Sequence, residues 1–144
     1  MFSLLVRMAW EEHMKEKQHT TASGEDYLEA ILILQKKSDL VRSVDVARHM
    51  GVSKPSVCHA VANLRDGGFL TMDKDHFLHL TDIGCDVAEK IYERHCFFTE
   101  QLIAAGVDPE LAKIDACRME HVISEETFRR LKEKYQSESE SNGL

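Results

Sequence analysis

Along most of this chain the apolar positions recur at intervals of three and four residues, the signature of helices that bury one face. Tyr27, Ala30, Ile31 and Leu34 make the first such stripe, and Ser23, three residues before Asp26, has the spacing of a capping box. Ser43 can open a short helix reaching Met50, closed by Gly51. Ser53 opens another, with Pro55 tolerated in its first turn and Val57, Ala60, Val61 and Leu64 as its inner stripe. The run Asp66-Gly67-Gly68 ends it. One stretch breaks the helical rhythm: "FLTMDKDHFLHLT" predicts two short strands around the turn Asp73-Lys74-Asp75. Helical spacing then returns. Thr81 caps a long helix to about Ala105, and Pro109 after Asp108 begins one through Val122. Ser124 opens a last helix with Phe128, Leu131 and Tyr135 facing inward.

The ends differ from this middle. Residues 1–22 have mixed charge and weak periodicity, and read as a short helix or a frayed arm. The polar run from Gln136 predicts a disordered tail. The expected organisation is therefore an extension over 1–22, one unit over 23–81, a helical unit over 82–136 and a tail over 137–144.

At 144 residues, with 43% apolar and 30% charged content, the composition is that of a soluble globular protein. The four cysteines, Cys58, Cys85, Cys96 and Cys117, form no C-x-x-C pair and fit a reducing cytoplasm. No apolar run approaches the roughly 20 residues that span a bilayer. The start "MFSLLVRMAW" is broken by Arg7 and followed by acidic residues, a poor match to a signal peptide. The expectation is a cytoplasmic protein without membrane contact. A net charge of −7 argues mildly against nucleic acid until its distribution is considered.

That distribution reverses the argument locally. Two short helices joined by "GVS" and followed by a hairpin make a winged helix-turn-helix. From Arg42 to Arg65 there are four Arg/Lys against one Asp. The outer face of the second helix offers Lys54, Ser56, His59 and Asn63. Lysine and serine suit phosphate oxygens, whereas histidine and asparagine can hydrogen-bond base edges. Arg42 begins this basic segment, and Lys74 with His76 at the hairpin tip would lie over the backbone or minor groove. The competing reading is a protein–protein module whose charged face is merely solvated. Phosphate contact is short-ranged at physiological salt, so local charge counts for more than net charge, and DNA is favoured.

The stretch "DACRMEHVIS" raises a different chemistry. Cys117, Glu120 and His121 stand at i, i+3 and i+4, so on a helix their heads converge. All three are transition-metal ligands, although a half-buried cysteine beside a surface ion pair would look the same. Asp26 and Glu29 share one face of the first helix, and Asp26 also sits where a capping box wants an acid. His95 interrupts the apolar stripe Gly84, Ala88, Ile91, Phe98 and Leu102, and a buried histidine needs a partner. Asp26, Glu29, His95, Cys117, Glu120 and His121 together suit Mn²⁺, Fe²⁺, Co²⁺ or Zn²⁺ better than the all-oxygen cages of Ca²⁺ or Mg²⁺.

In "EDYLEAI", "VARHMGVSKPSVCHAVANLRDGGFL", "LTDIG", "ERH" and "CRMEHVIS", in that order, the chain resembles the diphtheria-toxin-repressor family of metal-dependent transcriptional regulators. In length it is similar to the short manganese-transport-regulator branch, and the resemblance runs from about Thr21 to Tyr135. It implies a mainly α protein: a winged helix-turn-helix DNA-binding domain, then an all-helical metal-binding and dimerisation domain. It also implies a homodimer on double-stranded operator DNA, activated by Fe²⁺ or Mn²⁺, with Co²⁺ or Zn²⁺ able to substitute. By matching position, Asp26, Glu29, His95, Cys117, Glu120 and His121 fall on metal positions, and Ser53, Pro55, Ser56 and His59 on the DNA-facing part of the recognition helix.

Three departures stand out. Cys117 occupies a place where the manganese branch usually has Glu and resembles the iron-responsive branch. Thr99 and Lys113 stand where that iron branch has further ligands, so its ancillary site is expected to be absent. No SH3-like segment follows the helix of Phe128. The sequence reading is a metal-activated repressor of metal-uptake or metal-homeostasis genes, with no small organic ligand. The alternatives are a winged-helix regulator with a degenerate metal site and, from another class, a metalloenzyme with Glu120 as general base. No H-E-x-x-H signature supports the enzyme.

Overall fold

The computed structural model describes residues 22–143, and the expectations for residues 1–21 lie outside them. The first described helix, α1 (Ala22–Lys37), already includes Ser23, so Ser23 is not its cap. Tyr27, Leu28, Ile31 and Leu32 are buried in it. The short helix α2 (Ser43–Met50) is capped one residue earlier than the sequence suggests, at Arg42, whose backbone N–H donates to Asp45 Oδ2 at 2.9 Å. The Asp45 carboxylate satisfies the N–H of the N-cap residue, and it also suits the positive helix N-terminus. Gly51 closes α2 at φ +69°, a left-handed conformation that glycine enters without strain.

Helix α3 (Lys54–Asp66) begins as expected from Ser53, whose Oγ accepts from the Ser56 N–H. Strands β1 (Leu70–Met72) and β2 (Leu78–Leu80) pair antiparallel, Leu70 opposite Leu80 and Met72 opposite Leu78. Val46, Val57, Leu70 and Leu78 are almost fully buried with Ile31 and Val41, in a core shared by α1, α2, α3 and the hairpin. Each such side chain contributes about 1.5–3 kcal/mol relative to exposure.

Helix α4 (Asp82–Ala104) starts at Thr81, whose Oγ1 accepts from the Gly84 N–H. Gly84 is required by packing: a Cβ there would lie 1.9 Å from the Phe69 carbonyl oxygen. Helix α5 (Pro109–Met119) ends before the expected Val122, with Glu120 as its C-cap in still-helical conformation. Helix α6 (Glu125–Asn142) follows. A second, smaller core joins Phe98, Ala116 and Phe128, with Phe97 set edge-on to Phe98 and Phe128 at centroid distances of 5.3 and 5.4 Å.

Two further expectations change. The tail after Gln136 is helical to Asn142, where Ser137 and Ser141 donate back to the carbonyls of Lys134 and Ser137 and Lys134 pairs with Glu138 one turn on. Of the three inward positions on α6, only Phe128 is buried, while Leu131 and Tyr135 stay 41% and 40% exposed. Ile91 and Phe98, at 5% and 3% exposed, are covered by this chain itself and offer no surface to a second copy. The exposed apolar side chains lie elsewhere, among them Ile103 at the end of α4, Leu111 and Ile114 on α5, and Leu131 and Tyr135.

Candidate metal centre and nucleic-acid interface

All six candidate metal ligands come together. Asp26, Cys117, Glu120 and His121 present donor atoms within 4.8 Å of one another, as do Glu29, His95 and Glu120. Glu120 belongs to both groups. It is fully buried, with Oε2 3.0 Å from His95 Nδ1. Its Oε1 makes no hydrogen bond; His121 Nε2 lies 3.3 Å away but in the wrong direction for one. His121 is held from both sides, Nε2 2.6 Å from Asp26 Oδ1 and Nδ1 2.8 Å from Glu25 Oε2. Cys117 Sγ is 3.9 Å from Asp26 Oδ1, so Cys117 faces the cluster although much of it is exposed.

The local chain explains the convergence. Asp26 and Glu29 are one turn apart on α1, as the sequence spacing requires. Arg94 then fixes the end of α5: its Nη1 donates to the carbonyls of Glu120 at 3.2 Å and Ile123 at 2.6 Å. These carbonyls sit at and just past the helix end, where no backbone donor follows. Arg94 therefore orients the turn that carries Glu120 and His121.

The electrostatics of the cluster are those of crowded carboxylates. Burial pushes the Glu29 carboxyl up to about 8, helped by the neighbouring Glu120 carboxylate and the charge of Asp26. Burial opposes charge on His121, but bonds with Asp26, Cys117 and Glu25 prevail and push its imidazole up to about 12. A buried carboxylate oxygen without a partner is costly unless a cation or donor meets it. Three carboxylates (that of Glu120 among them), two imidazoles and a thiol fit a divalent transition metal, with donors enough for two adjacent positions sharing Glu120.

Sequence reasoning missed Glu25 and Arg94. Arg94 was visible only as the residue before His95, and Glu25 only as the acid before Asp26. Thr99 Oγ1 donates to the His95 carbonyl, and Lys113 pairs with Glu110.

The DNA-facing candidates line one surface of the winged helix. Lys54, Pro55, Ser56, His59 and Asn63 are all exposed on α3, with His59 Nε2 and Asn63 Nδ2 3.3 Å apart. Ser53 caps α3 and its Oγ lies 2.8 Å from Ser56 Oγ, so the two hydroxyls engage each other and Lys54 is the freer group at this helix start. Arg42 lies over the Phe77 ring at 4.2 Å, its guanidinium held beside the wing. A cleft of 510 Å³ between α2, α3 and the wing is lined by Arg42, Lys54, Cys58 and His76, among others. Exposed Lys74 sits at the wing tip, where Asp73 Oδ1 accepts from the Asp75 and Phe77 N–H groups.

Comparison with known proteins gives this arrangement its relatives. Residues 19–78 match the iron dependent repressor N-terminal DNA binding domain, and 81–140 the metal binding and dimerisation domain of the same repressors. The chain is 35% identical over 123 residues to the transcriptional regulator MntR of Escherichia coli O157:H7, covering 82% of this chain and 79% of that one. It is 30% identical over 120 residues to the diphtheria toxin repressor of Corynebacterium diphtheriae, covering 82% and 51%. Among solved structures, the manganese regulator SloR superposes with a TM-score of 0.72 at 25% identity, covering 78% of this chain and 53% of that one. The metal-dependent transcriptional regulator MtsR gives 0.74 at 25% identity, covering 81% and 55%. The chain thus spans about half the length of these solved structures. With both halves matched in order and the six donors gathered between them, the chain belongs to the iron-dependent repressor family of metal-dependent transcriptional regulators.

Proposed function

We propose that this protein is a metal-activated, DNA-binding repressor of metal-uptake or metal-homeostasis genes, acting as a homodimer in the cytoplasm. The observation that carries the reading is fully buried Glu120, which belongs to both donor groups and whose Oε1 makes no hydrogen bond. When bound, the Fe²⁺ or Mn²⁺ ion supplies the positive charge that lets Asp26, Glu29 and Glu120 stay together ionised. Co²⁺ and Zn²⁺ suit the same thiol-containing set.

The link to DNA runs through α1. Its first half holds Asp26 and Glu29 in the cluster, while Gln35 Nε2, further along the same helix, donates to the Leu78 carbonyl in the wing. The Leu78 N–H in turn donates to the Val41 carbonyl, just before α2. Ordering the start of α1 therefore restrains both the wing and the approach to the reading helix. Such coupling typically amounts to about 1–3 kcal/mol, or 5–150-fold in affinity.

A homodimer agrees with the apolar side chains left exposed on α4, α5 and α6, and helix-turn-helix dimers set two heads about 34 Å apart on DNA. No described helix is long and apolar enough to cross a membrane. The general-base role for Glu120 is disfavoured, because its side chain is fully buried against His95. The test is operator binding by the purified chain, titrated anaerobically with Mn²⁺, Fe²⁺ and Zn²⁺, with sedimentation in parallel. Metal-dependent affinity and a dimer support the reading; equal affinity with and without chelator favours a degenerate metal site, and a metal-loaded monomer removes the symmetric dimer.

A further inference from the structure

His121 is gripped at both ring nitrogens by consecutive residues of one helix. Asp26 lies at Nε2, inside the group of converging donors, and Glu25 lies at Nδ1, outside both groups. The histidine side chain is only 8% exposed, so its ring orientation is decided by these contacts and by packing, with little freedom left to solvent. An imidazole can present one nitrogen to a metal while the other donates its N–H, and the acceptor at the outer nitrogen decides which is which.

We infer that Glu25 is a positioning residue for the metal centre: it accepts the Nδ1–H of His121 and so directs Nε2 to the metal beside Asp26, Cys117 and Glu120. The inference rests on the metal reading above and goes beyond the six ligands. Three features support it. The Glu25–His121 contact, at 2.8 Å, has the length of a charge-assisted hydrogen bond. Glu25 contributes no donor atom to either converging group, so its carboxylate is placed to hold a ligand and not to be one. It also neighbours Asp26 in sequence, so α1 delivers both a ligand and the acceptor that orients another ligand, and any shift of the helix moves both together. Without Glu25 the ring could turn over and present carbon where Nε2 now faces the cluster.

The experiment uses the whole chain with ¹⁵N-labelled histidine and Zn²⁺, which is diamagnetic. The His121 signals are identified by their loss in His121→Gln. In the Zn²⁺-loaded protein, long-range ¹H–¹⁵N correlation should show Nδ1 protonated and Nε2 bound. Chelator competition should show Glu25→Ala weakening Zn²⁺ binding about 10–100-fold. Glu25→Gln, whose amide oxygen still accepts the Nδ1–H, should keep the tautomer and recover most of the affinity. Zn²⁺ on Nδ1 overturns the inference, as does Glu25→Ala affinity within about twofold of wild type, or a Gln variant that recovers nothing. The wild-type spectrum and the isosteric Gln variant decide the matter even if the Ala variant folds poorly. A wild-type chain that takes up no Zn²⁺ overturns this and the metal reading together, whereas normal uptake with the wrong tautomer overturns this inference alone.

Discussion

Gln35 donates its side-chain N–H to the backbone carbonyl of Leu78 at 3.2 Å, tying the helix that carries Asp26 and Glu29 to the wing of the DNA-binding unit. The two residues are 43 positions apart in sequence, and their bond joins the sensing helix directly to the reading head.

Gln35→Ala should therefore weaken the response to metal more than the binding of metal. A neutral hydrogen bond contributes about 0.5–1.5 kcal/mol, which corresponds to roughly 2–10-fold in metal-stimulated operator affinity. Metal stoichiometry should be unchanged. Fluorescence anisotropy with labelled operator, with and without metal, measures it; a variant with full stimulation would show that the wing is set some other way.

Arg94→Ala should damage the centre without removing a ligand. Its guanidinium serves the carbonyls of Glu120 and Ile123, and hydrogen bonds from charged groups are worth about 1.5–3 kcal/mol each. The thermal midpoint and the metal affinity should both fall, and Arg94→Lys, with a single ammonium in place of the fork, should restore only part of either. Metal titration of both variants after a melting curve tests this.

Reading and sensing should separate in mutants. His59→Ala, on the exposed face of α3, should weaken operator binding by about 1–3 kcal/mol and leave metal uptake alone. Lys54→Ala should weaken all DNA sequences about evenly and lower the salt slope by about one. Normal operator binding by His59→Ala would mean that another face of the helix enters the groove.

Cys117 should tilt the site toward softer metals. Its thiol faces Asp26 and belongs to the converging donors. A Co²⁺ complex should then show a near-ultraviolet sulfur-to-metal charge-transfer band that Cys117→Ser abolishes. Cys117→Glu should move the activating preference toward Mn²⁺. A band that survives Cys117→Ser would assign the thiol to packing alone.

The metal-free protein should lose stability as pH rises. Glu29 titrates at about 8 in the fold against 4.5 in the free side chain, and His121 at about 12 against 6.5. Between pH 6.5 and 8 both groups hold more protons folded than unfolded, so stability falls with rising pH across that window. The stabilisation from Glu29 is complete below 4.5 and gone above about 8. That from His121 is complete below 6.5 and persists in part up to about 12. Denaturant midpoints of the chelated protein at pH 6 and 8 should show the decline, and Glu29→Gln should flatten it. A midpoint that rises over this interval would contradict the assigned environment of Glu29.

Much of the architecture was readable from local pattern. The stripe Val57, Val61 and Leu64, the caps Ser53, Thr81 and Ser124, and the hairpin around Asp73 depend on side chains within a few residues of the backbone they satisfy, so spacing alone reports them. The Cys117, Glu120 and His121 trio was legible for the same reason. Other features were not local. Which apolar residues of α4 face its own chain was decided by α5 and α6, whose Ala116 and Phe128 cover Phe98 and leave no surface there for a partner. Arg42, and not Ser43, is the cap of α2, because its N–H finds an acceptor in Asp45, one turn inside the helix. Glu25 and Arg94 look like ordinary surface charges in the sequence. Their roles exist only because the fold carries His121 to one and the end of α5 to the other, across 96 and 26 residues. A hydrogen bond between distant residues leaves no periodic trace in the chain, so residue types and spacing determined the ligands, and only the tertiary structure decided what holds them in place.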